Sequence, residues 1–181
     1  MNALRVALSV VALSALASAV ALNAATGASS DGNRFEATFS ETNASITNRI
    51  SDLGVFQLIN TGTGTVEGFG AATVVLVATQ DRSVEPCGPG SWTNAALRRI
   101  VLGAGVLVLR ELVHICQTAT GPVGTGTWAV DGDSSTGLFA GARGSGETTI
   151  QLATRTATLT GKLKLANTDG GEGAPPRREP R

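Results

Sequence analysis

Residues 126–146, GTWAVDGDSSTGLFAGARGSG, contain two short apolar runs that are separated by a polar segment and bordered by glycines. The runs, residues 127–130 and 138–142, are rich in small, β-branched or aromatic residues, and this pattern predicts a β-hairpin. Three glycines lie within or just after the second run: Gly141, Gly144 and Gly146. Glycine weakens a strand unless the strand bulges or bends sharply, so this spacing favours the corner of a closed barrel.

The rest of the central sequence has the same β character. Residues 34–41 alternate between apolar and polar side chains, with Phe35, Ala37 and Phe39 on one face. Further stretches rich in β-branched residues, bounded by turn formers, are residues 52–60, 65–79, 95–102, 106–116 and 150–165. About eight strands and no amphipathic helix predict an all-β fold, a single eight-stranded antiparallel β-barrel over residues 31–166, because closure removes the edges of the sheet. Such a barrel encloses packed side chains or one small ligand.

Both ends of the chain differ from this central domain. Residues 6–22 follow Arg5 and are apolar and small, and residues 23–30 become polar, which predicts a cleaved signal peptide over residues 1–28 and a secreted, extracellular protein. The alternative is an uncleaved anchor, because about 17 apolar residues approach the shortest membrane span. Membrane contact is expected only through this segment. Residues 167–181 contain mainly glycine, proline and charges, and they are predicted to be a disordered tail.

The charge balance and the cysteines restrict the classes of partner and cofactor. The chain has 14 basic and 14 acidic residues, so no nucleic-acid partner is predicted. Cys87 lies in a Pro/Gly-rich loop and Cys116 ends a predicted strand, which favours a disulfide over a metal site or a reactive thiol. His114 is the single histidine, and no metal is predicted. Glycine-rich residues 62–70 precede β sequence and not a helix, so no phosphate-binding loop and no cofactor are predicted.

Two segments of the chain resemble a known family. Residues 124–132 (GTGTWAVDG) and 135–144 (STGLFAGARG) resemble the signature of the allene oxide cyclase and dirigent-like barrels, in which a hydrophobic strand reaches a Gly-Gly-Thr-Gly turn followed by Phe, a small residue, Ala, Arg and Gly. This chain differs by carrying residues 133–135, DSS, within the turn, which implies a longer loop. The resemblance implies an eight-stranded barrel, often trimeric, whose lumen binds an apolar small molecule. Members of these families steer phenoxy-radical coupling or close a fatty-acid-derived ring. The matched signature is structural, so it assigns no catalytic residue.

Charged residues on apolar strand faces are candidates for a site in the lumen. A three-residue turn at residues 103–105 would place Arg99 and Glu111 on one face among aliphatic residues, whereas a change of one residue in this turn would substitute Arg98 for Arg99. Glu67 is a lone carboxylate on one face of its predicted strand. A carboxyl group in an apolar pocket can act as a general acid or base, so Glu67 and Glu111 are the catalytic candidates and Arg99 is a ligand-binding candidate. The alternative is that these charges lie near strand ends, in contact with water.

Three aromatic residues complete the predicted site. Phe69, Trp128 and Phe139 are expected to line the ligand pocket or to form the core, because aromatic residues make up only 4% of the chain. Asn43 begins a glycosylation sequon, Asn-Ala-Ser, which matters only in a host that modifies such sites.

These features together predict a secreted, disulfide-linked β-barrel that binds a small hydrophobic molecule. Isomerase, cyclase or dirigent-type chemistry on a lipid, terpenoid or phenolic substrate is the second hypothesis, and a purely structural extracellular role is the third. Residues 106–116 are apolar on both faces, which predicts a homo-oligomer with this strand at the contact.

Overall fold

The computed structural model describes residues 34–50 and 54–166, with the backbone alone at residues 43, 44 and 46–50. The predicted signal peptide and the predicted tail therefore lie outside the described residues, as does the side chain of Asn43. Between residues 34 and 166, no described helix is long and apolar enough to span a bilayer.

The described residues form nine β-strands. Their bounds are β1 (Arg34–Ile50), β2 (Val55–Val66), β3 (Gly70–Asp81), β4 (Trp92–Leu102), β5 (Gly105–Thr118), β6 (Gly121–Val130), β7 (Thr136–Gly137), β8 (Arg143–Gln151) and β9 (Thr156–Lys164). Eight of them pair antiparallel in the order β4-β3-β2-β1-β9-β8-β6-β5, and β4 also pairs with β5, which closes the sheet. The two-residue strand β7 lies outside this circuit and pairs with the start of β5. The predicted eight-stranded antiparallel barrel is confirmed.

The strands of the barrel are staggered. Following paired residues once around the sheet from Val66 on β2 leads back to the same strand at Phe56. A closed sheet with such a displacement requires strands that tilt relative to the barrel axis. Residues at one height in the barrel therefore come from different positions along the paired strands.

Alternate residues of each strand face the interior. On β4, for example, Ile100 and Leu102 are buried, whereas Val101 between them is 43% exposed. One half of the interior, here called the aromatic half, is packed around Phe35, Phe39, Trp128 and Phe139, each at most 2% exposed. Aliphatic side chains fill the space around these rings: Val66, Val74, Ile100, Leu107, Leu109, Leu159 and Leu163. Burial of this apolar surface is the main stabilising contribution in the barrel.

The connection between β6 and β8 differs from the predicted hairpin. The two strands pair, but residues 138–142 form turns and not a strand, and β8 begins at Arg143. The loop folds back against β5 because the Ser135 hydroxyl accepts a hydrogen bond from the Val108 amide (3.0 Å) and donates one to the Asp131 carbonyl (2.8 Å). This path carries Phe139 into the core, so the loop closes the end of the aromatic half.

Two predicted strands are each divided by a turn. The predicted strand 65–79 contains a turn at residues 67–69, where Gly68 and the following Gly70 adopt positive φ values of 77° and 87°. The predicted strand 150–165 contains a turn at residues 152–155, with Arg155 in the left-handed region at φ 55°. Both turns are short and lie between strands of similar β-branched composition, so the sequence pattern continues across them.

The Trp128 ring requires two glycines beside it. A Cβ atom at Gly146 or Gly161 would lie 2.6 Å from Trp128 Cζ2 and would also meet backbone atoms of the neighbouring strand. The Trp128 Nε1 group donates hydrogen bonds to the carbonyls of Glu147 (3.1 Å) and Thr160 (3.2 Å), on these same two strands. These glycines therefore provide space for an aromatic ring that connects β6, β8 and β9.

Asp131 anchors the closing loop through its carboxylate. Arg110 on β5 donates to Asp131 Oδ2 from Nη2 (2.7 Å) and Nε (3.1 Å), and the Ser134 amide donates to Oδ1 (3.3 Å). The hydrogen bonds from Arg110, followed by those from Ser134, lower the pKa of Asp131 despite some desolvation. The ionised carboxylate is therefore the form that holds the loop against the barrel.

Replacing Gly161 by alanine is expected to reduce the free energy of unfolding by about 1–3 kcal/mol, because the added methyl group overlaps the Trp128 ring and the paired strand. The measurement is chemical denaturation followed by circular dichroism. Gly103→Ala is the matched control, because a Cβ atom at Gly103 meets nothing within 4 Å. Equal stability of the two variants would contradict the proposed role of Gly161.

Asp131→Asn is expected to be destabilising at neutral pH and to lose this effect in acid. The pKa of Asp131 is lower in the folded protein than its ordinary value of 3.8, so its contribution to stability is present above pH 3.8 and is lost as the pH falls below it. Denaturant unfolding of wild type and variant at neutral pH and well below pH 3.8 measures the difference. Asp133→Asn in the same loop is the control, and a stability difference that does not change with pH would refute the linkage.

Candidate functional site

Three buried charged side chains meet inside the barrel, and we call them the charged trio: Glu41 from β1, Arg98 from β4 and Glu111 from β5. The Arg98 Nε and Nη2 groups donate to Glu111 Oε1 (2.6 Å) and Oε2 (3.3 Å), and Nη1 donates to Glu41 Oε1 (2.7 Å). The exposed fraction of the side chain is 0% for Arg98, 1% for Glu111 and 9% for Glu41. This is an ion-pair network in the interior and not on the surface.

The register of β4 and β5 selects Arg98 for the interior. Leu102 pairs with Gly105, so the turn between the strands has two residues and not the three of the predicted turn. The inward-facing row of β4 therefore contains Arg98, which lies opposite Leu109 and diagonal to Glu111. Arg99 points outward and is exposed, so its predicted position in the lumen is wrong.

Glu41 is a member of the trio that the sequence pattern missed. It continues the inward-facing row of Phe35, Ala37 and Phe39 on β1, so strand alternation alone contains the signal. The pairing of β1 with β2 shifts register just after it, between Glu41 and Asn43. A glutamate at the end of an apolar row suggests a strand end at the surface, but here the strand continues and the side chain stays inside.

The guanidinium group of Arg98 keeps its charge in the interior. Burial alone would lower the pKa of Arg98, but the negative charges of Glu111 and Glu41 and the hydrogen bonds that Arg98 donates to them together raise it. The group also lies over the Phe39 ring, 5.7 Å from the ring centroid, where a cation is attracted to the π face. The trio thus contains one guanidinium and two carboxyl groups.

The trio separates the aromatic half from a second region, which we call the polar half. The polar half contains the inward-facing side chains beyond the trio on β2 to β5, which include Leu58, Asn60, Ala78, Gln80, Asn94, Ala96, Val113 and Ile115. Asn60 Nδ2 donates to Glu41 Oε2 (2.8 Å). The Oδ1 atoms of Asn60 and Asn94 are buried without a hydrogen-bond partner, as is Thr148 Oγ1 on the inward face of β8.

One wall of the barrel ends at the height of the trio. β9 begins at Thr156, and the Glu41 amide donates to the carbonyl of Arg155 in the turn before it (2.9 Å). Beyond this point β1 pairs with β2 alone among the described residues. Leu58, Asn60, Asn94 and Ala96 face inward yet are only half-buried, whereas Arg98 and Ile100 further along β4 are fully buried. Solvent therefore reaches the polar half on its β2 and β4 side, whereas Ala78 and Val113 on β3 and β5 are each 1% exposed.

The disulfide and two aromatic rings lie at the far end of the polar half. The predicted Cys87–Cys116 disulfide is confirmed, with Cα atoms 5.6 Å apart, and it connects the loop before β4 to the last residues of β5. Arg82 lies over the rings of Phe56 and Trp92, 5.4 and 5.1 Å from their centroids. Disulfides persist in oxidising compartments and are rare in the cytosol.

The other predicted site residues do not join the trio. Glu67 is exposed on the turn between β2 and β3, so its predicted place beside Glu111 is wrong, because β2 ends at Val66 and the inward row does not continue through the turn. Trp128 and Phe139 are buried in the aromatic half, and Phe69 packs on Phe139 with ring centroids 5.1 Å apart. Of the predicted catalytic and ligand-binding residues, only Glu111 belongs to the trio.

The outer surface carries a shallow groove of about 580 Å³ across β5, β6 and β8. Its lining includes the outward-facing residues Arg110, Leu112, Thr127, Ala129, Ser145 and Glu147, together with Glu111 and Trp128 of the same strands. In the part of the chain that the structure describes, no three His, Cys, Asp or Glu residues are arranged to hold a metal ion.

Comparison with known proteins finds no matching family model, no similar curated protein and no matching solved structure.

Arg98→Met is expected to lower the free energy of unfolding by about 3–5 kcal/mol, because it leaves two buried carboxylates without their cation. The triple variant Arg98→Met, Glu41→Gln, Glu111→Gln is expected to recover much of this loss, since the uncompensated charges are removed. Chemical denaturation measures both effects. Arg99→Met on the outer face is the control and should change stability by no more than about 0.5 kcal/mol. An effect of Arg98→Met as small as that of the control would show that the ion pairs do not hold the interior together.

Proposed function

We propose that this protein is a secreted β-barrel that binds a small, mostly apolar molecule in the polar half of its interior, with the charged trio contacting the polar group of that molecule. The observation that carries the proposal is the change in burial along β4. Arg98, Ile100 and Leu102 are buried on the aromatic side, whereas the inward-facing Asn94 and Ala96 on the other side are only half-buried.

The composition of the polar half supports the binding of a small molecule. Leu58, Ala78, Ala96 and Val113 offer an apolar surface with small side chains, and the trio with its asparagine neighbours offers a few fixed polar groups. Ligand sites typically combine a mainly apolar lining with a small number of placed polar groups. Because Arg98 already holds both carboxyl groups, these polar groups are preorganised for a ligand.

The proposed site differs in location from the lumen site expected from the aromatic residues. Phe35 and Trp128 pack edge to face with centroids 5.1 Å apart, and Phe139 fills the closed end. These rings form the packed layer next to the trio. The ligand is therefore proposed to enter from the opposite end, past the rim at Arg155.

Secretion and self-association are part of the proposal. Secretion is supported by the disulfide and by the signal-like sequence of residues 6–22. A homo-oligomer, such as the trimer implied by the resemblance to the allene oxide cyclase and dirigent-like barrels, is supported by apolar side chains on the outer face of β3, β4 and β5 that are 43–48% exposed: Val77, Leu97, Val101 and Leu112.

Isomerase or cyclase activity is the second candidate function, because Glu41 and Glu111 place two carboxyl groups next to a solvent-reached interior. Binding without catalysis is favoured over it, since both oxygens of Glu111 already accept hydrogen bonds from Arg98, and a general base needs a free oxygen directed at its substrate.

The proposal predicts that small apolar compounds with one polar group raise the melting temperature of the protein, because a ligand that binds only the folded state stabilises it by about 2.7 kcal/mol at 100 times its Kd. A thermal-shift screen measures this effect. Ala96→Phe fills the polar half and should abolish the shift for any compound found, whereas Ala95→Phe on the outer face of the same strand should preserve it.

The melting temperatures of both variants without ligand show whether each is folded. A screen in which no compound stabilises the wild type would refute the proposed function. Equal shifts in the Ala96→Phe and Ala95→Phe variants would place the binding site outside the polar half.

A further inference from the structure

We infer that the molecule bound in the polar half carries a positively charged group with several N–H donors, such as a primary ammonium, which contacts the carboxylate of Glu41. This inference rests on the proposed function and specifies the ligand class for the same site.

The trio contains more acidic than basic groups. Arg98 provides one positive charge, and Glu41 and Glu111 provide two negative charges when both are ionised. Among the described residues, Arg98 is the one cation within 4 Å of either carboxylate. A buried charge without a partner is unfavourable, so a cation placed beside Glu41 would balance the interior.

The asparagines beside the trio present unpaired acceptors. The Oδ1 atoms of Asn60 and Asn94 have no hydrogen-bond partner within the protein, and an amide oxygen can only accept. An ammonium group brings three donors and no acceptor, so it can pair these oxygens. A carboxylate or another acceptor-rich ligand would increase the imbalance.

Glu41 is accessible to a ligand that enters through the polar half. Glu41 is the more exposed carboxylate of the trio and lies at the rim, where the wall of β8 and β9 ends. A cation can therefore approach Glu41 from the polar half without crossing the packed aromatic half. The apolar body of the same molecule would then lie against Leu58, Ala78 and Ala96.

The test uses three probes that share one apolar body and differ in the charge of the head group: 2-phenylethylamine, 2-phenylethanol and phenylacetate. Isothermal titration calorimetry at neutral pH measures their affinities for the full chain with its disulfide intact. We expect the amine to bind about tenfold or more tightly than the alcohol, which is the size of effect that one charged hydrogen bond provides. Phenylacetate is expected not to bind.

Glu41→Gln separates the charge of the site from its shape. The variant keeps the side-chain length and balances the trio at one positive and one negative charge, so the preference for the amine over the alcohol should disappear. Glu147→Gln on the outer face of β8 makes the same charge change on the surface, and it should leave the preference intact. If Glu41→Gln does not fold, as judged by its circular dichroism, Glu111→Gln provides the same charge balance within the trio.

The outcomes distinguish this inference from the function on which it rests. Binding of the alcohol or of phenylacetate as tightly as the amine would overturn the inference and leave a ligand-binding barrel. An amine preference that persists in the trio variant, or that is lost in Glu147→Gln, would also overturn it, because the preference would then come from the surface charge. Failure of all three probes overturns the inference, and if the thermal-shift screen also finds no compound, the proposed function falls with it.

Discussion

The pairing of Arg98 with Glu41 and Glu111 is the constraint on which the rest of the barrel interior depends. Each charge would be strongly unfavourable alone in an apolar interior, so the three strands that carry them, β1, β4 and β5, must hold one relative register. A shift of one residue in any of these strands would turn its charged side chain outward and break at least one of the two ion pairs. The trio therefore stabilises this register of the barrel relative to other registers that would bury a similar amount of apolar surface.

The trio also divides the interior into two regions with different properties. On one side, the rings of Phe35, Phe39, Trp128 and Phe139 are packed and the end is closed by the loop that carries Phe139. On the other side, small side chains and asparagines face inward, and one wall ends at the height of Glu41. The aromatic core thus lies on one side of the trio, and the proposed binding site lies on the other.

The sequence contained enough information for the architecture, and less for the site. Regular alternation, turn residues and the two cysteines led to the closed barrel and to the Cys87–Cys116 disulfide. The site depended on turn lengths, which alternation does not determine. The turn between β4 and β5 is one residue shorter than predicted, so Arg98 and not Arg99 faces the interior. The turn after Val66 places Glu67 at the surface. Phe139 was placed correctly in the interior although its predicted strand is a loop, because a large apolar side chain is buried by either route. The family resemblance remains a prediction.

The positions of the two tryptophans make the intrinsic fluorescence of this protein informative about both halves of the barrel. Trp128 is 2% exposed, with its indole N–H bonded to two carbonyls, whereas Trp92 is half-buried beneath Arg82 at the far end of the polar half. A water-soluble quencher such as acrylamide should therefore suppress emission from Trp92 while Trp128 stays shielded until the barrel unfolds. The two emission components therefore report separately on the far end of the polar half and on the aromatic half, without any added label.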